Sequence, residues 1–287
     1  MRRTAYILIL FILLANSGYS ASVEGTWQGA ILPAGQGFQK GIPVYVDFND
    51  FGSTLSGKMR EEKNGSSEFA VVQFNGKRKN ELIELRQTLI ERKSKSGGMK
   101  WCLLSMELTY DSLTGYLRGK FSSSDCKRFV GEVILYRSEF ELAVDVENAA
   151  GQLWFSKFAS DWKEGFSAPE IRKKERDNFV FEPIYFDFDK FEIRPEHYAF
   201  LDRMIKVVKG HSDLRVQVIG HTDSKGSDAY NDVLSKQRAK AIVDYFVKRG
   251  LSADRLVFDF KGEKEPIDSN ETPDGRQRNR RVDFSFI

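Results

Sequence analysis

Leu214-Arg215-Val216-Gln217-Val218-Ile219-Gly220-His221-Thr222-Asp223 alternates apolar and polar side chains up to Gly220, the pattern of a strand that ends on a polar turn. A helix is predicted to follow from about residue 229 to 248, with Gly250 as its C′ glycine. On that helix Asn231, Ser235 and Arg238 stand four and then three positions apart and share one stripe. Ala239, Ile242, Val243 and Phe246 share another stripe that can be buried. A strand-end carboxylate, Asp223, and a helix guanidinium, Arg238, can therefore point into one cleft. Spacing alone fits a structural ion pair between the two equally well.

The surroundings of this unit repeat its alternation of strand and helix. Residues 184–188 read as a strand, and Arg194-Pro195-Glu196 opens a helix running to about residue 209, with Leu201, Met204, Ile205 and Val208 on its buried face. Residues 254–260 and 281–286 supply two more strands. The predicted architecture for 179–287 is an α/β sandwich, a mixed sheet with helices on one face.

The first half follows a different rule. Runs rich in aromatic and β-branched residues at 25–31, 42–48, 54–60, 68–75, 81–92, 100–110, 114–121 and 129–137 are separated by Gly, Asn, Asp and Ser breaks. About eight short strands within 21–138 predict an all-β antiparallel barrel or sandwich. Gly25-Thr26-Trp27 resembles the Gly-x-Trp opening of lipocalin-like barrels, and a buried Trp closing one end of any barrel is the reading preferred. Short runs with Lys58, Arg60 and Glu62 at alternating positions favour a soluble barrel over one that faces lipid. Between the two units, 139–178 is read as connector. Phe140, Val144, Leu153, Trp154, Phe158 and Trp162, interrupted by Gly151, suggest one or two short amphipathic helices, and the charged stretch 167–178, opened by Pro169, reads as an exposed linker.

Composition bounds what these units do. The 287 residues are 41% apolar and 30% charged, which excludes a disordered or collagen-like chain. With 44 Lys and Arg against 41 Asp and Glu, the near balance argues against bulk binding of nucleic acid. Only 3 His and 2 Cys make a metal site hard to assemble, and no cofactor is expected. Residues 1–20 read as a signal peptide: Arg2 and Arg3 precede an apolar run at 5–15 that is too short to span a bilayer, and small residues point to cleavage after Ser20. No integral transmembrane span is expected. Export to an oxidising compartment permits a disulfide between Cys102 and Cys126, closing a loop of about 25 residues and stabilising by about 3 kcal/mol.

Residues 179–287 closely resemble the OmpA-like peptidoglycan-binding domain. The resemblance rests on Phe186-Asp187-Phe188-Asp189-Lys190-Phe191-Glu192-Ile193, Gly220-His221-Thr222-Asp223-Ser224-Lys225-Gly226, the helical run from Tyr230 to Ala239, Gly262-Glu263-Lys264-Glu265-Pro266 and Arg278-Asn279-Arg280-Arg281-Val282. It implies noncovalent binding of the diaminopimelate residue in the peptidoglycan stem peptide. Asp223 would accept from the ligand ammonium, and Arg238 would hold its carboxylate through paired bonds. By the same match Asp189, Thr222 and Asn231 would orient the ligand and Leu234 would offer an apolar wall. Many family members carry Asn where this chain has Asp189. Arg280 and Arg281 are expected to pair acidic neighbours, and His221 to be structural.

The function expected is that of a noncatalytic envelope protein in the periplasm of a Gram-negative bacterium, held at the cell wall, with outer-membrane association left open. It would tether a β domain that binds an envelope protein or small ligand. The alternative is a wall-targeted hydrolase, against which 21–138 shows no paired acids, no Gly-x-Ser-x-Gly and no metal-ligand cluster.

Overall fold

The computed structural model describes residues 22–94, 98–139, 144 and 152–287. The predicted signal segment lies outside the described residues. The chain divides into two compact units, Met1–Lys163 and Glu164–Ile287.

In the first unit β1 (Gly25–Pro33), β2 (Ile42–Asp50), β3 (Thr54–Glu62), β4 (Phe69–Lys79), β5 (Leu82–Lys93), β6 (Leu104–Asp111), β7 (Tyr116–Ser123) and β8 (Val130–Arg137) pair in chain order. Antiparallel pairing of β8 with β1, Trp27 opposite Arg137 through Pro33 opposite Gly131, closes the sheet into a barrel. The alternation of two predicted from sequence sorts the side chains. Val44, Val46 and Phe48 are buried in one core, with Trp27, Met59, Phe74, Leu85, Met106 and Leu135, whereas Asp47 between them is exposed. Trp27 is fully buried, donates its indole N–H to Val23 O at 2.8 Å and meets Phe48 and Tyr110 edge-on. Lys77, Glu84, Arg86, Glu107, Lys120 and Glu132 lie exposed on the strands outside that apolar interior, the reverse of the distribution a lipid-facing barrel requires. Among the described residues no helix is long and apolar enough to cross a membrane.

One outer patch of the barrel is covered. Helix α1 (Leu153–Lys163) lays Trp154 and Phe158 over it: the Trp154 indole N–H donates to the Tyr45 hydroxyl at 2.8 Å, and Phe158 packs 5.0 Å from Tyr136 and 5.3 Å from Phe38. Cys102 and Cys126 form the disulfide, with Cα atoms 5.8 Å apart, joining the approach to β6 to the turn between β7 and β8.

Charge is also buried here. Arg60 and Glu62 form an ion pair at 2.6 Å with almost no exposure. Glu61 forms no ion pair among the described residues; it accepts from Gln87 Nε2 at 2.6 Å, and burial pushes its carboxyl up to about 7. The ladder between β5 and β6 stops at Arg86 opposite Ser105, and Gln87 Oε1 takes the Leu104 N–H at 2.8 Å, so the side chain supplies the bond the ladder no longer makes.

The second unit departs from the sequence expectation at its start. The stretch expected to be an exposed linker contains helix α2 (Pro169–Asp177), with Pro169 in its first turn and Arg172 buried. Its polarity misled because Glu170 and Lys174 pair across one turn on the solvent side. Beyond it come β9 (Ile184–Tyr185), α3 (Tyr198–Gly210), β10 (Val216–Gly220), α4 (Asp228–Lys248), β11 (Leu256–Phe260), α5 (Pro273–Asn279) and β12 (Arg281–Phe286). The sheet order is β11-β10-β12-β9, with β10 and β11 parallel and the other neighbours antiparallel, a mixed sheet as predicted. Leu201, Met204 and Val208 from α3 and Ala239, Ile242 and Phe246 from α4 pack against Val216, Val218 and Val282. Gly250, at φ 83°, ends α4: its N–H donates to Val247 O at 2.9 Å, and the following Leu251 N–H donates to Phe246 O at 3.0 Å. Helix α5, absent from the sequence reading, is capped by Thr272, whose hydroxyl accepts the Gly275 N–H at 3.0 Å.

Candidate functional site

The site grows from the end of β10. A Cβ at Gly220 would stand 2.0 Å from the Ser235 carbonyl oxygen, so only glycine lets the strand end touch α4. That contact sets the following turn, His221 to Asp223, against the helix that carries Asn231, Ser235 and Arg238. All six of these side chains are nearly or fully buried.

Asp223 and Arg238 do not pair with each other. Asp223 Oδ2 accepts from Arg280 Nη1 at 2.7 Å, and its Oδ1 accepts the Lys225 N–H at 3.1 Å. Arg238 instead donates from Nε to Lys190 O at 2.8 Å, from Nη1 to His221 O at 2.9 Å and from Nη2 to Asp187 O at 3.2 Å. Its guanidinium carbon sits 5.3 Å from the Phe186 ring centroid. Burial, reinforced by the nearby Arg280, pulls the Arg238 pKa down to about 10, still charged at neutral pH. Arg238 thus knits three backbone segments together while its charge borders the same cleft.

That cleft holds about 20 Å³ and is lined by Phe188, Asp189, Thr222, Asp223, Lys225, Tyr230, Leu234, Arg238 and Arg280. Asp189, Thr222, Asp223, Leu234 and Arg238 are residues singled out from sequence. Asn231, the sixth candidate, does not line it; it is buried nearby and donates to Glu263. Asp189 adopts φ 58° and accepts from the Tyr230 hydroxyl; the left-handed conformation is one that Asp and Asn reach more readily than other side chains. Two buried oxygens, Thr222 Oγ1 and Asn231 Oδ1, have no hydrogen-bond partner among the described residues.

Sequence reasoning missed the place of Arg280. It was expected to pair an acid, and that acid is Asp223, one of the carboxylates lining the cleft. Arg280 caps the C-terminal end of α5, and its carbonyl accepts the Phe186 N–H at 2.9 Å. No strand or helix period could place it over Asp223 without α5. Its neighbour Arg281 turns elsewhere and pairs Asp283 at 2.8 Å. His221 is buried, with Nε2 3.4 Å from Asp283; burial first, then Arg281 and Lys261, push its pKa down to about 4, so the ring is neutral near pH 7.

The unit thus combines a mixed sheet and helices with a cleft that joins carboxylates and guanidiniums beside a strand-end turn. Residues 185–280 form an OmpA family domain. This part of the chain is similar to outer membrane protein A of Bordetella avium, 38% identical over 103 residues, which are 36% of this chain and 53% of that protein. It is also similar to the peptidoglycan-binding protein ArfA of Mycobacterium bovis, 43% identical over 102 residues, 36% of this chain and 31% of that protein. The chain thus spans about half the length of the first relative and less than a third of the second. A structural likeness extends to the peptidoglycan-associated lipoprotein from Burkholderia pseudomallei, at 25% identity and a TM-score of 0.36, covering 37% of this chain and 89% of that one.

Proposed function

We propose that this protein binds peptidoglycan noncatalytically, through the diaminopimelate residue of the stem peptide, and so tethers its barrel to the cell wall in the bacterial envelope. The similarity to a peptidoglycan-binding protein and to outer membrane protein A supports wall binding and an envelope setting. One observation carries the finer reading: Asp223 and Arg280 face each other at 2.7 Å across a cleft that also contains Arg238 and the unpartnered Thr222 hydroxyl.

The free end of diaminopimelate carries an ammonium and a carboxylate on one carbon. Such a zwitterion can replace the Asp223–Arg280 pair in kind, its ammonium taking the carboxylate and its carboxylate taking the released guanidinium by charge-assisted bonds. The cleft is narrow, and exchange of that pair for the zwitterion would open it without leaving a buried charge unmatched. Arg238 adds positive potential, Thr222 a free hydroxyl, and Leu234 an apolar wall. The barrel is the tethered cargo, presented to an envelope partner or small ligand.

Co-sedimentation of the full chain with diaminopimelate-containing sacculi tests this. Asp223→Ala is expected to weaken binding at least about thirtyfold, the effect of truncating one side of a buried charge pair. Undiminished sedimentation of that variant would overturn the assignment.

A further inference from the structure

Lys225 stands in the cleft wall with its charge unspent. Its side chain is exposed, and among the described residues no carboxylate forms an ion pair with its ammonium. The other basic residues near the site are engaged: Lys190 pairs Asp187 at 3.5 Å, Lys264 pairs Asp232 at 3.0 Å, and Arg280 pairs Asp223.

The backbone beneath Lys225 is fixed. Its own N–H is held by Asp223 Oδ1 at 3.1 Å, and the preceding Ser224 N–H donates to Asn270 Oδ1 at 3.2 Å. The next residue, Gly226, sits at φ 113°, a conformation that commits the chain to this turn, and Ser227 then caps α4 through the Tyr230 N–H. The start of the side chain is therefore held beside Asp223, while its four-carbon stem leaves the ammonium free to reach along a bound ligand.

We propose that the Lys225 ammonium takes the free α-carboxylate of the γ-linked D-glutamate that precedes diaminopimelate in the stem, so that the site distinguishes this acid from its amide. The inference rests on the reading of the cleft as a diaminopimelate site. A ligand whose zwitterionic end occupies Asp223 and Arg280 extends its aliphatic arm and peptide outward past the cleft wall. The next anion on the N-terminal side of that peptide is the D-glutamate carboxylate, left free because the chain continues through the side-chain carboxyl. Amidation of this carboxylate removes the charge and leaves the shape almost unchanged. An ion pair at an exposed rim supplies up to about 1 kcal/mol, about a fivefold difference in affinity.

The test titrates the full chain with two synthetic tetrapeptides that differ only at the second residue, D-glutamate or D-isoglutamine, at low ionic strength. The wild type is expected to bind the acid about fivefold more tightly, Lys225→Met to bind both equally, and Lys225→Arg to keep the preference. Equal binding by the wild type, or a preference surviving in Lys225→Met, overturns the inference alone. Failure of both peptides to bind the wild type overturns the diaminopimelate reading, and this inference with it.

Discussion

Both units bury charge, and they do so to opposite ends. In the barrel, Arg60 and Glu62 pair at 2.6 Å, and Glu61 is held by Gln87, which also completes the strand ladder. In the OmpA domain, Asp223 and Arg280 pair at the mouth of a cleft with orphaned oxygens nearby, on Thr222 and Asn231. The first arrangement is closed and serves the fold. The second leaves hydrogen-bonding capacity unused among the described residues, which the proposed ligand would take up. Burial of charge alone does not mark a binding site; a charged pair that borders accessible space and unmatched polar atoms does.

Removing Arg238 should break the comparison most severely. Arg238→Ala withdraws donors from the carbonyls of Lys190, His221 and Asp187, and the expected loss is about 3 kcal/mol or more of stability in the C-terminal unit. Urea unfolding followed by probes specific to each unit should show that transition moving while the barrel transition stays. Loss of wall binding in this variant would therefore report folding, and for that reason Asp223 is the sharper position for a binding test.

A somewhat smaller effect is expected in the barrel, with pH as the variable. Glu61 titrates near 7 when folded against an ordinary value of 4.5, so the folded state holds its proton longer than the unfolded one. The resulting stabilisation is fully present below about pH 4.5 and is lost as pH rises to about 7, by about 3 kcal/mol. Comparing wild type with Glu61→Gln across that window isolates the slope. A difference between them that does not vary with pH would contradict the buried-acid account.

The smallest effect belongs to a cap. Gly250→Ala, forced to φ 83°, should lower the stability of the C-terminal unit by about 1 kcal/mol and leave peptide binding as it is, measured by denaturation and titration in parallel.

Much of this architecture could be read from local pattern. Alternation placed all eight barrel strands to within a few residues, because each has one face in an apolar core. Whether the sheet was a barrel or a sandwich stayed open, since closure depends on β1 meeting β8 about a hundred residues later. Polarity hid α2, whose buried face rests on few residues such as Arg172. At the site, the turn carrying Thr222 and Asp223 and the stripe carrying Arg238 were legible from period and motif. The Asp223–Arg280 contact was not, because it spans 57 positions and depends on the short capped helix before Arg280.

The central claim is met most directly by calorimetric titration of the full chain with two stem tetrapeptides, one with meso-diaminopimelate and one with L-lysine at the third position. Lysine lacks the carboxylate of the zwitterion and cannot satisfy the guanidinium that its ammonium would release from Asp223. Saturable binding of the diaminopimelate peptide is expected, weakened at least about thirtyfold by Asp223→Ala, with at least about thirtyfold weaker binding of the lysine peptide. Equal affinity for the two peptides would contradict it.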